Sequence, residues 1–156
     1  MKKPKVPNAL IGAAGVHYVV SELSRRGLIA LPTTRNTAGY DVIVISQDGR
    51  RHANIQVKTS LQHAQFWLMP PSQKIMSGPH DYYICLRTGS NPESFEAFMI
   101  NGREAKDVVE HSEMRQKNRG RRPQGIRPSL HVSGPNANAD QSKSSRWAKR
   151  WKTWSL

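Results

Sequence analysis

Three residues in the first half of the chain have the types and the spacing for metal-assisted phosphodiester hydrolysis. Asp41 opens an apolar run, Tyr40-Asp41-Val42-Ile43-Val44-Ile45-Ser46. Gln56 and Lys58 sit two apart in a second run that ends at Ser60. Between the runs, Asp48-Gly49 is a hairpin turn signal. A turn there folds the second run back on the first and brings Asp41, Gln56 and Lys58 to one end of a ribbon. Such hydrolysis needs a carboxylate to hold a hard divalent cation through oxygen. The cation lowers the pKa of a bound water and stabilises charge on the phosphate. A side-chain cation such as Lys orients that water or neutralises the developing phosphorane. An Asp that starts a strand and a Lys that ends one are also common surface choices, so spacing alone does not decide.

Several elements must position these residues. Leu10, Ala14, Val16, Val19, Val20 and Leu23 recur at helical spacing and predict an amphipathic helix over 9–26, with Asn8 as its cap and Gly27 as its stop. Leu28 to Leu31 reads as a short strand, and Pro32 to Gly39 as a turn-rich stretch. In the run Arg51 to Ser60, Asn54, Gln56 and Lys58 share one face and Ala53, Ile55 and Val57 the other. Further strands are expected at Gln65–Met69, Asp81–Arg87 and Phe95–Ile100, the last two joined by a loop with Gly89, Asn91 and Pro92. A short helix is expected over 102–113. Helix, strands, helix is the order of an α/β or α+β sandwich, a central mixed sheet flanked by helices.

Gly39-Tyr40-Asp41, followed after a hairpin by Ile55-Gln56-Val57-Lys58-Thr59-Ser60, resembles the PD-(D/E)XK nuclease superfamily, the restriction-endonuclease-like fold. Within it the chain looks most like small prokaryotic endonuclease-like proteins related to Holliday-junction resolvases. The stretch Gly15-Val16-His17-Tyr18-Val19-Val20-Ser21-Glu22-Leu23, with Arg25-Arg26-Gly27, resembles the first helix of that group. The likeness covers about residues 9–110. It implies a DNA endonuclease dependent on Mg²⁺ or Mn²⁺ and able to act on particular DNA structures. Asp41, Gln56 and the Val57 carbonyl would ligate the metal, and Lys58 would be the catalytic lysine. Because two strands must be cut, it also allows a homodimer. Two positions depart from the pattern. Val16 stands where a Glu often follows the Gly, and Gln56 replaces the usual acid. Asp41 is then the sole acid at the site, which leaves open a nuclease-fold module that binds DNA without cutting it.

Charge points to the same class of partner. The 156 residues carry 24 Lys and Arg against 11 acids, a formal net charge of +13. Such a field attracts polyanions: nucleic acid first, an anionic membrane surface second. Residues 114–156 hold eleven Lys or Arg and a single acid, Asp140, and so supply most of the excess. The expected organisation is a nuclease-like core over 1–113, a flexible basic linker over 114–145 and a Trp-rich basic helix over 146–156. Arg115, Lys117, Arg119, Arg121 and Arg122 are the linker residues suited to phosphate. Trp147, Trp151 and Trp154 fall on one helical stripe. That stripe suits packing on the core; a basic membrane-surface helix is the alternative.

The remaining motifs subtract functions. The six histidines are scattered without zinc spacing, although His17, beside Gly15, could face the active end of the sheet. Gly12-Ala13-Ala14-Gly15 lacks the Lys-Ser/Thr of a phosphate loop, so no small-molecule cofactor is expected. Cys85 sits in the apolar run Tyr82–Leu86 and reads as a buried small hydrophobe. A lone cysteine points to a reducing, cytoplasmic setting. No apolar run approaches the roughly 20 residues of a membrane span.

Overall fold

The computed structural model describes residues 6–34, 39–62, 64–88, 94–125, 127–132 and 141–156. Residues 1–5, 35–38 of the turn-rich stretch, His63, the loop residues Gly89, Asn91 and Pro92, and 133–140 of the expected linker lie outside these ranges.

The elements run α1 (Asn8–Arg25), β1 (Ile29–Pro32), β2 (Val42–Ile45), β3 (His52–Ser60), β4 (Phe66–Leu68), β5 (Asp81–Thr88), β6 (Phe95–Asn101), α2 (Gly102–Asn118), β7 (Ser129–His131) and α3 (Gln141–Thr153). Single helical turns occur at Ser72–Lys74 and Pro123–Gly125. Five strands form a mixed sheet in the order β1-β2-β3-β5-β6. Within this sheet β3 and β5 pair in parallel and the other described pairs are antiparallel. β4 and β7 form a separate antiparallel ribbon. The described residues are α+β, with a mixed five-stranded sheet and three helices, which is compatible with the expected sandwich.

The inner strand β5, between β3 and the edge strand β6, is buried on both faces, as a parallel neighbour should be. Tyr83 and Cys85 enter a core with Trp67, Phe98, Val109 and Leu130 on the α2 side. Ile84 and Leu86 enter a second core with Val19, Leu23, Val44 and Ile55 on the α1 side. Burial pushes the Cys85 thiol up to about 12, against the opposing pull of the Lys58 charge, so the sulfur is an inert core atom.

The helix ends follow from local chemistry. α1 closes as a Schellman motif: Leu28 N–H reaches the Leu23 carbonyl, Gly27 N–H reaches that of Ser24, and Gly27 takes φ 80°. Its start differs from expectation. Pro7, not Asn8, is the cap residue, and the Pro7 carbonyl accepts from Leu10 and Ile11 N–H. α2 opens with a reciprocal capping box between Asn101 and Glu104.

Part of the expected linker is folded. α2 runs to Asn118 rather than 113, and ends in a second Schellman motif at Gly120. β7 then pairs with β4. Polar anchors do this work where apolar residues are scarce. Ser112 Oγ accepts from Ser129 N–H at 3.2 Å, and the Gln116 amide bonds both N–H and C=O of Arg127, at 3.0 and 2.8 Å.

α3 begins earlier than expected and packs along β6. It covers that edge strand and puts Trp147 into one core and Trp151 into the other, 1% and 5% exposed. The Arg26 guanidinium stacks 4.3 Å from the Trp151 ring centre. The tryptophan stripe therefore faces inward. No described helix is long and apolar enough to cross a membrane.

Candidate functional site

The β2–β3 hairpin forms at Asp48-Gly49, and its register ends where Val42 meets Ile55. Beyond that point β3 continues to Ser60 with β5 alone as partner. Among the described residues, no strand ladders that edge of β3 from Gln56 onward. Asp41 stands on this edge.

A bulge puts it there. Val42 is the register partner of Ile55, yet Asp41 N–H also donates to the Ile55 carbonyl, at 2.8 Å. Two residues oppose one, which turns the leading residue out of the alternation. Without the bulge Asp41 would lie opposite Gln56, on Gln56's face. With it, the Asp41 Oδ2 accepts from Val57 N–H at 2.7 Å. The Asp41 carbonyl accepts from Thr33 N–H at 3.0 Å, so the residue is held by both neighbouring strands.

The N–H and C=O of one strand residue leave by the same edge. The Val57 carbonyl therefore lies on the edge where Asp41 stands. Gln56 and Lys58 point to the other side of β3 from the Val57 side chain, beside their register partners Tyr83 and Cys85. Both are half-buried. The structure thus brings Asp41 to Val57 and flanks that edge with Gln56 and Lys58 on one face. On the other face a cavity of about 470 Å³ lies between α1 and the start of β2. Asp41, Val57, Val16, His17, Gly12 and Tyr40 are among its lining residues.

α1 approaches this region closely because residue 15 is glycine. A Cβ on Gly15 would lie 1.9 Å from Thr59 Oγ1, a buried hydroxyl without a hydrogen-bond partner. One carboxylate near β3 escaped the sequence reading. Asp81 is buried, but Asn54 Nδ2 and Gly78 N–H donate to its two oxygens, so it closes the turn before β5. Its place at a strand start after Gly78-Pro79-His80 was the available signal. Ser60 accepts from Gln62 N–H and ends the strand.

Asp41, the Val57 carbonyl and the Gln56 amide are hard oxygen donors of the kind Mg²⁺ takes. Only one carries charge. Among the described residues no three His, Cys, Asp or Glu side chains gather as a metal-binding group. A cation held by these oxygens would have to keep several waters and complete its shell on a phosphate.

The expected phosphate contacts lie elsewhere. Arg115 and Lys117 are on the last turns of α2, and Arg119, Arg121 and Arg122 follow it, the last three exposed.

No family model matches the chain, and neither a curated protein nor a solved structure matches it.

Proposed function

We propose that the protein is a metal-dependent DNA endonuclease of the PD-(D/E)XK, restriction-endonuclease-like kind, with a reduced metal site. One observation carries this: the bulge at β2 sets the Asp41 carboxylate on the same unladdered edge as Val57, the centre of Gln56-Val57-Lys58. Asp41, the Val57 carbonyl and the Gln56 amide would hold Mg²⁺ or Mn²⁺. When bound, the cation supplies an acidified water and charge for the phosphate. Asp41 holds its orientation through the Val57 N–H and both neighbouring strands. Lys58 supplies the fixed positive charge from the adjacent face of β3. The basic surface draws in the DNA.

A specific observation favours a second function, a module of this fold that binds DNA without cutting it. Val16 lines the cavity beside Asp41, where the resemblance leads one to look for a second acid.

Incubation with supercoiled plasmid and Mg²⁺ or Mn²⁺ separates the two. Wild-type protein should nick or linearise the plasmid. Asp41→Asn and Lys58→Ala should each lose about a hundredfold or more in rate. Asn keeps a side-chain acceptor for the Val57 N–H, so the loss is not a folding defect. Cleavage by both variants at the wild-type rate overturns the assignment. Salt-sensitive binding in EDTA with no cutting under any metal establishes the second function instead.

A further inference from the structure

The β4–β7 ribbon has two different faces. Inward, Trp67 and Leu130 are buried. Outward, Phe66 and Leu68 are 47% and 52% exposed. Phe66 and His131 are register partners with rings stacked 5.2 Å apart at 29°. They form a stacked aromatic pair at the surface, in which Phe66 is the exposed ring and His131 is half-buried. Burial, then the nearby Arg115 charge, depresses the His131 pKa, so this ring is neutral near pH 7 and offers a π-face.

Four arginines surround the pair. Arg115 and Arg119 come from the end of α2, Arg121 and Arg127 from the loop that returns to β7, and all line one concavity of about 340 Å³ with Phe66, Leu68 and His131. The Gln116 amide pins the loop backbone at Arg127 and also accepts from the Arg121 guanidinium at 3.4 Å. Among the described residues, no carboxylate lines the concavity. Among the described residues, Arg119, Arg121 and Arg127 form no ion pair.

An anion alone needs no aromatic platform, and an apolar ligand alone needs no cluster of arginines. A strand of nucleic acid with unpaired bases presents flat π-faces and closely spaced phosphates together. In a duplex those faces are stacked on one another and cannot lie on Phe66. We propose that this concavity is a binding site for unpaired nucleotides, with a base on the exposed Phe66 ring, which His131 backs, and the backbone phosphates on Arg115, Arg119, Arg121 and Arg127. This rests on the nucleic-acid reading of the chain and adds the form of the ligand: single-stranded or splayed, not uniform duplex.

The test is fluorescence anisotropy in EDTA with a labelled oligodeoxythymidylate and a labelled blunt duplex of equal length. Phe66→Ala should weaken single-strand binding about tenfold and leave duplex binding unchanged. Phe66→Trp should restore the single-strand affinity. The pair Arg119→Ser with Arg127→Ser should weaken single-strand binding and flatten its salt dependence by about two units of slope. Phe66 is exposed, so its variants should keep the wild-type circular dichroism and melting temperature. If wild-type protein binds neither probe, the nucleic-acid reading falls and this site with it. If wild-type protein binds and Phe66→Ala matches it on the single strand, this site alone is overturned.

Discussion

Asp41 shows how one carboxylate can be made both rigid and available. One oxygen accepts a backbone N–H, which fixes the side chain, and no donor from the described residues is bonded to the other. Glu104 is the contrasting case, a carboxylate fully committed to structure. It caps α2 and receives Arg146 and Arg150 from α3. Burial alone would raise its pKa. The Arg150 hydrogen bonds and charge, with the Asn101 N–H and Arg146, outweigh burial and hold it below the ordinary 4.5. A depressed folded value stabilises the protein above the unfolded pKa, and this contribution disappears as pH falls through the folded value. Glu104→Gln should therefore cost about 1–3 kcal/mol at neutral pH. Thermal melts of the two proteins should converge as the pH drops below 4.5. A gap that stays constant across that range would show that the charge is not what Glu104 contributes.

Among the elements, α1 and the β2–β3 hairpin were legible because their periods are clean: 3.6 for Val16, Val19, Val20 and Leu23, and 2 for Ala53, Ile55 and Val57. The stripe of Trp147, Trp151 and Trp154 was legible for the same reason, as was its packing on the core. The bulge was not. Strict alternation places Asp41 opposite Gln56, and a single extra backbone hydrogen bond undoes that without a mark in the residue types. β7 was hidden too, since three residues among Arg, Pro and Gly carry no period, and their pairing depends on Ser112 and Gln116 side chains. The α1–β3 contact makes a sharper claim. Gly15→Ala drives a methyl into Thr59 and should destabilise by about 1–3 kcal/mol. Thr59→Ala alone removes a buried hydroxyl without a partner and should be near neutral or stabilising. The double variant should cost clearly less than Gly15→Ala alone. Additive costs in denaturant titrations would mean that the two residues do not press on each other.

At the scale of the whole molecule, the charge excess is not a tail that can be cut away. Residues 114–156 contain the end of α2, β7 and α3, so deleting them opens both cores rather than merely removing positive charge. Charge must be probed in the intact chain. Engagement of four arginines with phosphates predicts a loss of about two orders of magnitude in affinity between 50 and 200 mM salt. Filter binding across that range checks it, and a flat profile would remove phosphate contact as the source of affinity.

The clasp between Arg26 and Trp151 joins positions 125 residues apart in the chain. Contacts of that sequence separation require closing a long loop and form late, whereas the β2–β3 hairpin, with its tight turn, can close in microseconds. Until α3 docks, β6 is an open edge with apolar residues on both faces, available to β6 of another copy. The order of assembly therefore leaves a window in which unfinished molecules can pair strand to strand, and the docking of α3 ends it.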